Sequence, residues 1–492
     1  MIEDEKQKER TAAAARSLGN TINLALPLER LEKVDPWGGA SSSLSYVYRP
    51  STVDNLHQVF ELAKRSGHTV GLRGAGNSYG DANLNSENII LDIRRMNRIL
   101  DWNPSSGSIR VEPGVTIAQL WQYVIEDGWW PPVVPGTAKP TIGGSAGMNI
   151  HGKNAWKSGT IGEHIVEFDL LLPTGQVITC SPKQNSDLFL GAVGGFGMLG
   201  VFTSITMKMR RIYSGQLKVH ALASRNLGEM IDQFEELTPE SDYFVGWIDG
   251  FAGGKGLGRG QIHKANYLAP GADPYPSQSL RLENQHQPDT LFGIVPRSIM
   301  WRIMRPAMND IGARFINTAK YMSSRRGHDS IFYQPHVAFH FLLDYVPNWK
   351  KSYGPGGLVQ YQCFIPEANA RESIAEILRR CQNRGVNNYL SVLKRHRSDK
   401  FLISHGVDGY SLAMDFRVTP RRRPKIVQLT AELDEIVIDA GGKFYLAKDS
   451  TLSPRAAQAY LGAETITAFK EIKRRNDLEN ILQSNLWRRL FY

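Results

Sequence analysis

Two stretches hold more glycine and small polar residue than a packed core tolerates. They are Gly71–Asp81, GLRGAGNSYGD, and Pro135–Asn154, PGTAKPTIGGSAGMNIHGKN. Apolar, β-branched segments adjoin both, which predicts tight loops at strand ends. Glycine at this density lets backbone N–H groups turn toward one point and lets a ligand approach without meeting a Cβ. Several such donors around a concavity form an anion nest, and a pyrophosphate is its usual occupant. The two loops are therefore expected to clamp the diphosphate of a dinucleotide. Neither is a GxGxxG turn with an acidic residue about 20 positions on, and neither is a phosphate-binding GxxxxGK[ST] loop. An ordinary nicotinamide or ATP site is not supported.

The chain has 492 residues, enough for two or three domains with cores of their own. Its three cysteines (Cys180, Cys363 and Cys381) make no disulfide framework and lack metal-ligand spacing. No metal is expected. The charged N-terminus lacks the apolar core of a signal peptide, and no run of about 18 apolar residues is present. The expectation is a soluble cytoplasmic protein with at most peripheral contact to a membrane surface. The net charge of +10 invites a nucleic-acid reading. The basic pairs and triplets are scattered and sit in no nucleic-acid-binding motif, so no nucleic-acid partner is expected.

Taken in order, residues 3–20 read as an exposed helix. Thr52–Ser66 reads as a helix capped by Thr52, with Val53, Leu56, Val59, Phe60 and Ala63 on one face. Strands are expected at Val70–Arg73, Asn88–Asp92 and Ser108–Glu112, a helix from Thr116, a hairpin over Ile165–Thr179, and a strand at Val201–Arg210 after a third glycine-rich loop, Val193–Gly200. Composition changes near Tyr213. Beyond it Ser241–Asp249 reads as a strand, and Ala252–Gln285, dense in Gly, Pro, Asn and Ser, as a long loop, either a lid or disordered. Val295–Met322 interleaves Ile, Met, Trp and Phe with arginine, a basic amphipathic helix pair. Such a pair either rests on a membrane or packs on the core, and core packing is the preferred reading. Gly357–Ile365, Asn388–Lys394 and Tyr410–Arg417 read as strands and Ala368–Arg384 as a helix, giving a separate antiparallel sheet with helices on one side.

The ordered series RGAGNSYGD, PGTAKPTIGGSAGMNIHGKN, SGTIGEHI, LLPTGQV and VGGFGMLGV, continued by GLVQYQCFIP, NYLSVLKRH, GYSLAMDF and YLAKDS, resembles the vanillyl-alcohol-oxidase family of FAD-binding PCMH-type flavoenzymes. The resemblance covers most of the chain. It implies an α+β fold with a two-subdomain FAD-binding domain from residues 1–214, an inserted antiparallel-sheet substrate domain over 215–442, and a segment, 443–492, returning to the FAD domain. FAD would be held by Arg73, Gly74, Ala75, Gly76, Asn77, Ser78, Tyr79, Gly80 and Asp81. It would also be held by Gly136, Thr137, Gly143, Gly144, Ser145, Ala146, Gly147, Asn149, Ser158, Gly159, Ile161, Val201 and Tyr445.

The resemblance places Lys448, His151 and Tyr79 in catalysis and Lys153, Gln360, Gln362, Lys394 and Ser411 at the substrate. Gln360 and Gln362 alternate along one strand and so share a face; read alone, that face is solvent-exposed. A lysine beside flavin stabilises anionic reduced flavin or an alkoxide, although Asp449 next to Lys448 allows a plain salt bridge. Lys153 and Lys394 can pair with a phosphate.

Two positions depart from the family. Asn77 stands where many relatives carry the histidine that tethers FAD, which predicts non-covalent flavin. Ala413 and Ser411 stand where related enzymes have cysteine and asparagine. The implied reaction oxidises a secondary alcohol of a sugar, such as a polyprenyl-phosphate-linked pentose. Hydride passes to flavin N5, with oxygen or a quinone as acceptor and an NAD-dependent reductase as partner. Two alternatives stand beside it: an aldonolactone or alditol oxidase or sterol-type alkene reductase of the same fold, and a basic membrane-docking binding protein without turnover.

Overall fold

A computed structural model describes residues 24–291 and 295–492. The helix expected over 3–20 lies outside the described residues. Twenty-one strands are described, in three main sheets and two short ribbons.

The first sheet has the order β1-β2-β4-β3, with β1 Leu31–Val34, β2 Ser43–Tyr48, β3 Val70–Arg73 and β4 Ile89–Asp92. Strand β4 runs parallel to both β2 and β3. The crossover between β2 and β3 is the helix Val53–Ser66, whose N-cap Thr52 accepts the Asn55 N–H at 3.2 Å. Leu56, Val59, Phe60 and Ala63 are its buried stripe, the face its 3.6-residue period requires. The second sheet is antiparallel, β5-β6-β10-β8-β9, built from β5 Ile99–Asn103, β6 Ser108–Val111, β8 Ile165–Leu171, β9 Val177–Cys180 and β10 Val201–Lys208. A short ribbon pairs β7 Trp129–Trp130 with β11 Arg210–Arg211.

The third sheet opens at Gln216. Its order is β17-β12-β14-β13-β19-β20-β18-β21, and every pairing in it is antiparallel. The strands are β12 Gln216–Ser224, β13 Tyr243–Ile248, β14 Gly260–Tyr267, β17 Ser330–Pro335, β18 Leu358–Pro366, β19 Leu390–His396, β20 Gly409–Arg417 and β21 Lys443–Phe444. A second ribbon pairs β15 Thr290–Leu291 with β16 Val295–Pro296. One face of the third sheet, with Phe244, Ile262, Leu393, Leu412 and Met414, is buried beneath the helices Leu227–Leu237, Glu367–Asn383 and Arg423–Asp439. The other face looks toward the glycine loops and carries the site. The fold is α+β.

Three expectations change. The segment 252–285 is not one loop: β14 lies inside it, between β12 and β13. Its composition misleads because Gln261 and His263 face a cavity, so polar residues occupy positions where a strand buried on both sides would be apolar. The basic helix pair exists, as Arg297–Ala307 and Asp310–Arg326, but packs on the core along only part of its surface. The second helix buries Ala313, Asn317, Tyr321 and Ser324, and the first buries no residue. The cut at 442 falls just before β21, which is itself a strand of the third sheet, so the sheet runs past the expected boundary.

After β21 the chain turns to the first half. Val70 N–H donates to the Ile481 carbonyl at 2.7 Å, and Gln483 N–H to the Val70 carbonyl at 3.0 Å. Among the described residues no helix is long and apolar enough to cross a membrane.

Candidate active site

The two glycine stretches meet. A Cβ on Gly74 would lie 2.1 Å from Thr141 Oγ1, so only glycine lets the first loop seat against the second. The second stretch is not wholly loop: Ile142–Gly147 forms a short helix capped by Thr141, which accepts the Gly144 N–H at 3.2 Å. Gly76 has φ 69°, and a Cβ there would meet Arg73 Nη2 at 2.2 Å. Arg73 is fixed behind the loop, donating to Asn83 Oδ1 at 3.0 Å and to the Asp35 carbonyl at 2.9 Å.

These loops wall one end of a cavity of about 540 Å³. Arg73, Gly74, Ala75, Gly76, Asn77, Ser78, Tyr79, Gly136, Thr137, Gly143, Gly144, Gly147 and Val201 all line it. Both amide atoms of Asn77 and the Tyr79 hydroxyl are buried without a hydrogen-bond partner among the described residues. Buried polar atoms are ordinarily paired. A glycine-walled slot with an unpaired amide fits a dinucleotide cofactor.

Eight residues expected at the cofactor do not line the cavity: Gly80, Asp81, Ser145, Ala146, Asn149, Ser158, Gly159 and Ile161. Several hold the walls instead. A Cβ on Gly80 would sit 1.7 Å from the Asp449 carbonyl oxygen, so this glycine admits the loop that carries Lys448. Asp81 accepts from Arg489 Nε at 2.8 Å and Nη2 at 2.7 Å, and Arg489 also donates to Asp449 Oδ2 at 2.8 Å. One guanidinium thus ties the first loop to the lysine loop. Asn149 Oδ1 accepts the Gly162 N–H at 3.1 Å, and the Ser158 carbonyl is 2.9 Å from His164 Nε2. A Cβ on Gly159 would strike Glu163, and Ile161 is core. Ser145 and Ala146 are buried in the short helix.

The opposite end is the open face of the third sheet. Cross-strand register places Gln360 opposite Asp415, Gln362 opposite Ala413, Phe364 opposite Ser411 and Lys394 opposite Ser411. Directly paired residues share a face, and on this one Gln360, Gln362, Lys394, Ser411 and Ala413 line the cavity. The face is not solvent-exposed; Gln360 and Gln362 are 8% and 6% exposed. Gln360 donates to Asp415 Oδ1.

Strand β21 adds to β18, and the following turn, with Lys448 N–H bonded to the Tyr445 carbonyl at 2.9 Å, delivers Lys448 to the cavity. The Tyr79 N–H bonds the Ala447 carbonyl at 2.8 Å, and Lys448 Nζ lies 3.6 Å from the Tyr79 ring centroid. Asp449 is engaged with Arg489 and the Thr451 and Leu452 amides. The salt bridge that the sequence allowed between Lys448 and its neighbour is therefore not made.

Burial pushes the Lys448 ammonium down to about 7, with Asp415 opposing and Lys394 reinforcing the shift. Burial raises Asp415 to about 6 and lowers Lys394 to about 8. Lys153 is held well below its usual range by burial and then by Lys394. Its Nζ bonds the Phe339 carbonyl, so this lysine lines the cavity but is anchored to main chain. Lys320, also at the cavity wall, is lowered by burial to about 8, and an anion joining these four lysines favours their charged forms.

His151 is neutral, its basicity suppressed by burial and then by Lys394. Gln362 Nε2 lies 3.0 Å from His151 Nε2. The ring packs edge-on against Phe364 and His396 and near His405 and Tyr445. His396 Nε2 is 2.8 Å from Ser411 Oγ. Asp415, His396, Trp247 and His263 were not among the residues expected at the site. For Asp415 the signal was present: it follows Ser411 and Ala413 at strand period on one face.

Among the described residues no cluster of side chains suits a metal ion. An FAD-binding-domain family model matches residues 44–181. Decaprenylphosphoryl-beta-D-ribose oxidase of Mycolicibacterium smegmatis is 28% identical over 463 residues, 92% of this chain and 96% of that protein. The L-gulonolactone oxidase of Mus musculus is 25% identical over 197 residues, 40% of this chain and 44% of that one. The D-arabinono-1,4-lactone oxidase of Yarrowia lipolytica is 22% identical over 224 residues, 44% and 42% respectively. With a glycine-walled cradle facing a polar sheet surface, an FAD-binding domain over residues 44–181 and relatives that are oxidases, the chain is an FAD-dependent oxidoreductase.

Proposed function

We propose that the protein oxidises a secondary alcohol of a sugar, a pentose carried on a polyprenyl phosphate, with FAD held non-covalently. The observation that carries this reading is the single cavity shared by the glycine loops and the Gln360, Gln362, Lys394, Ser411 and Lys448 surface. The similarity to the decaprenylphosphoryl-ribose oxidase runs through both ends of that cavity, whereas the lactone oxidases match less than half of the chain. This favours the phosphate-linked sugar over an aldonolactone.

FAD, when bound, supplies the two-electron acceptor. The chain's own residues do the rest. Lys448, lowered to about 7, offers a neutral amine near physiological pH to take the alcohol proton as the C–H bond breaks. Gln360 and Gln362 present amides to sugar hydroxyls. Lys394, with Lys153 at the cavity wall, supplies positive charge for a phosphate. Neutral His151 is oriented by Gln362 and contributes hydrogen bonding without adding charge. The Tyr79 ring faces the Lys448 Nζ at 3.6 Å and helps to position it.

Asn77 presents an amide where a tether would need a ring nitrogen, and amides do not form that bond. Acid precipitation should therefore release FAD into the supernatant. Anaerobic mixing of the yellow holoenzyme with a polyprenyl-phosphate-linked ribose should bleach the flavin. Bleaching by aldonolactones alone would reassign the substrate.

A further inference from the structure

The helices Arg297–Ala307 and Asp310–Arg326 carry an exposed face that the proposed chemistry does not use. On the second helix Ile311, Phe315 and Met322 are 84%, 74% and 46% exposed. Their spacing, i, i+4 and i+11, aligns them in one stripe along the helix. Arg314, Arg325 and Arg326 flank that stripe on the helical wheel. The opposite side, Ala313, Asn317, Tyr321 and Ser324, is the part packed inward. The first helix repeats the pattern, with Ile299 and Ile303 exposed one turn apart and Arg302 between them.

Residues 297–326 hold seven cations (six arginines and Lys320) against one carboxylate, Asp310. That carboxylate is bound to Arg422 at 2.8 Å. Among the described residues Arg302, Arg305, Arg314, Arg325 and Arg326 form no ion pair. Exposed apolar side chains ringed by cations without carboxylate partners are poorly matched to water, and poorly matched to a second copy of an equally basic face.

We propose that this helix pair docks the protein on an anionic lipid bilayer. Ile299, Ile303, Ile311, Phe315 and Met322 enter the headgroup boundary, and the arginines meet lipid phosphates. The same helix supplies Lys320 to the cavity wall, where its Nζ lies 4.1 Å from the Trp247 ring centroid. Docking therefore brings that wall to the lipid surface. Delivery of a lipid-anchored sugar by this route rests on the function proposed above; the docking itself does not.

The test is co-sedimentation of holoenzyme with vesicles of equal parts phosphatidylcholine and phosphatidylglycerol, and with phosphatidylcholine alone, without substrate. Binding to the anionic vesicles should be at least about tenfold tighter and should weaken as salt rises. Ile311→Ser with Phe315→Ser should lower it about tenfold or more, and Arg314→Glu with Arg325→Glu should abolish the preference for anionic lipid. Both variants alter exposed positions and should keep the flavin spectrum and the melting temperature of the parent. No binding to anionic vesicles would overturn the proposal. So would binding that neither variant changes, or a concentration-dependent dimer that Ile311→Ser with Phe315→Ser dissolves.

Discussion

At the glycine-loop end of the cavity most of the surface is backbone, whereas at the sheet end it is side chain. Gly74, Gly76, Gly143 and Gly144 matter for what they lack, since a Cβ at Gly74 or Gly76 would strike a neighbour within 2.5 Å. Gln360, Gln362, Lys394, Asp415 and Lys448 matter for what they carry, on strands drawn from distant parts of the chain and a turn near its end. The difference teaches where each half is vulnerable. The loop end fails sterically and all at once. The sheet end fails by degrees, one interaction at a time.

The largest effect is expected at the loop end. Gly76→Val should yield apoprotein, read as loss of the flavin absorbance in purified protein. The cause is local: a side chain at φ 69° is strained and displaces the Arg73 guanidinium that braces the loop. A variant that still purifies yellow would refute the steric account.

Next comes Lys448→Ala, which should retain FAD while the rate of anaerobic flavin reduction falls about 10²–10⁴-fold. The same residue sets a pH dependence. Its pKa is depressed to about 7, so the neutral, proton-accepting form is depleted below that pH and dominates above it. Reduction should therefore rise as pH passes through about 7 and then level off. A rise retained in Lys448→Ala would assign the titration elsewhere, with Asp415 the first candidate.

A smaller loss, about 10–100-fold in kcat/KM, is expected for Gln362→Leu, which removes a substrate-facing amide and the partner of His151 Nε2. Steady-state kinetics should show the loss, with FAD content unchanged. The smallest catalytic effect belongs to the clasp. Arg489→Leu leaves Asp81 and Asp449 without their shared cation and should cost roughly 3 kcal/mol of stability. Thermal melting reads that cost, and an unchanged melting curve would show that the clasp is not needed to join the two ends of the chain.

Much of the loop end was legible in the residues. Glycine density and β-branched flanks located both loops, and the Thr52 and Thr116 caps placed the helices around them. Not every residue of these motifs lines the cavity. Gly80, Asp81 and Gly159 belong to the same motifs, but they serve close approach and cross-linking between segments. The sheet end was legible only as alternation. Gln360 and Gln362 were known to share a face, but not whether that face met solvent or a cavity. Strand β14 was hidden because its cavity-facing residues are polar. Lys448 had a tempting neighbour in Asp449, and only the fold shows that carboxylate turned to Arg489.

Local chemistry in the sequence therefore determined the loops, the caps, the strand periods and the amide at Asn77, because each depends on residues close together in the chain. Tertiary structure alone decided that β21 brings Lys448 beside Tyr79, that Asp415 joins Gln360, and that burial lowers four cavity lysines at once. Those outcomes depend on which distant strands become neighbours and on how much water is excluded between them, and neither is written in any local run of residues.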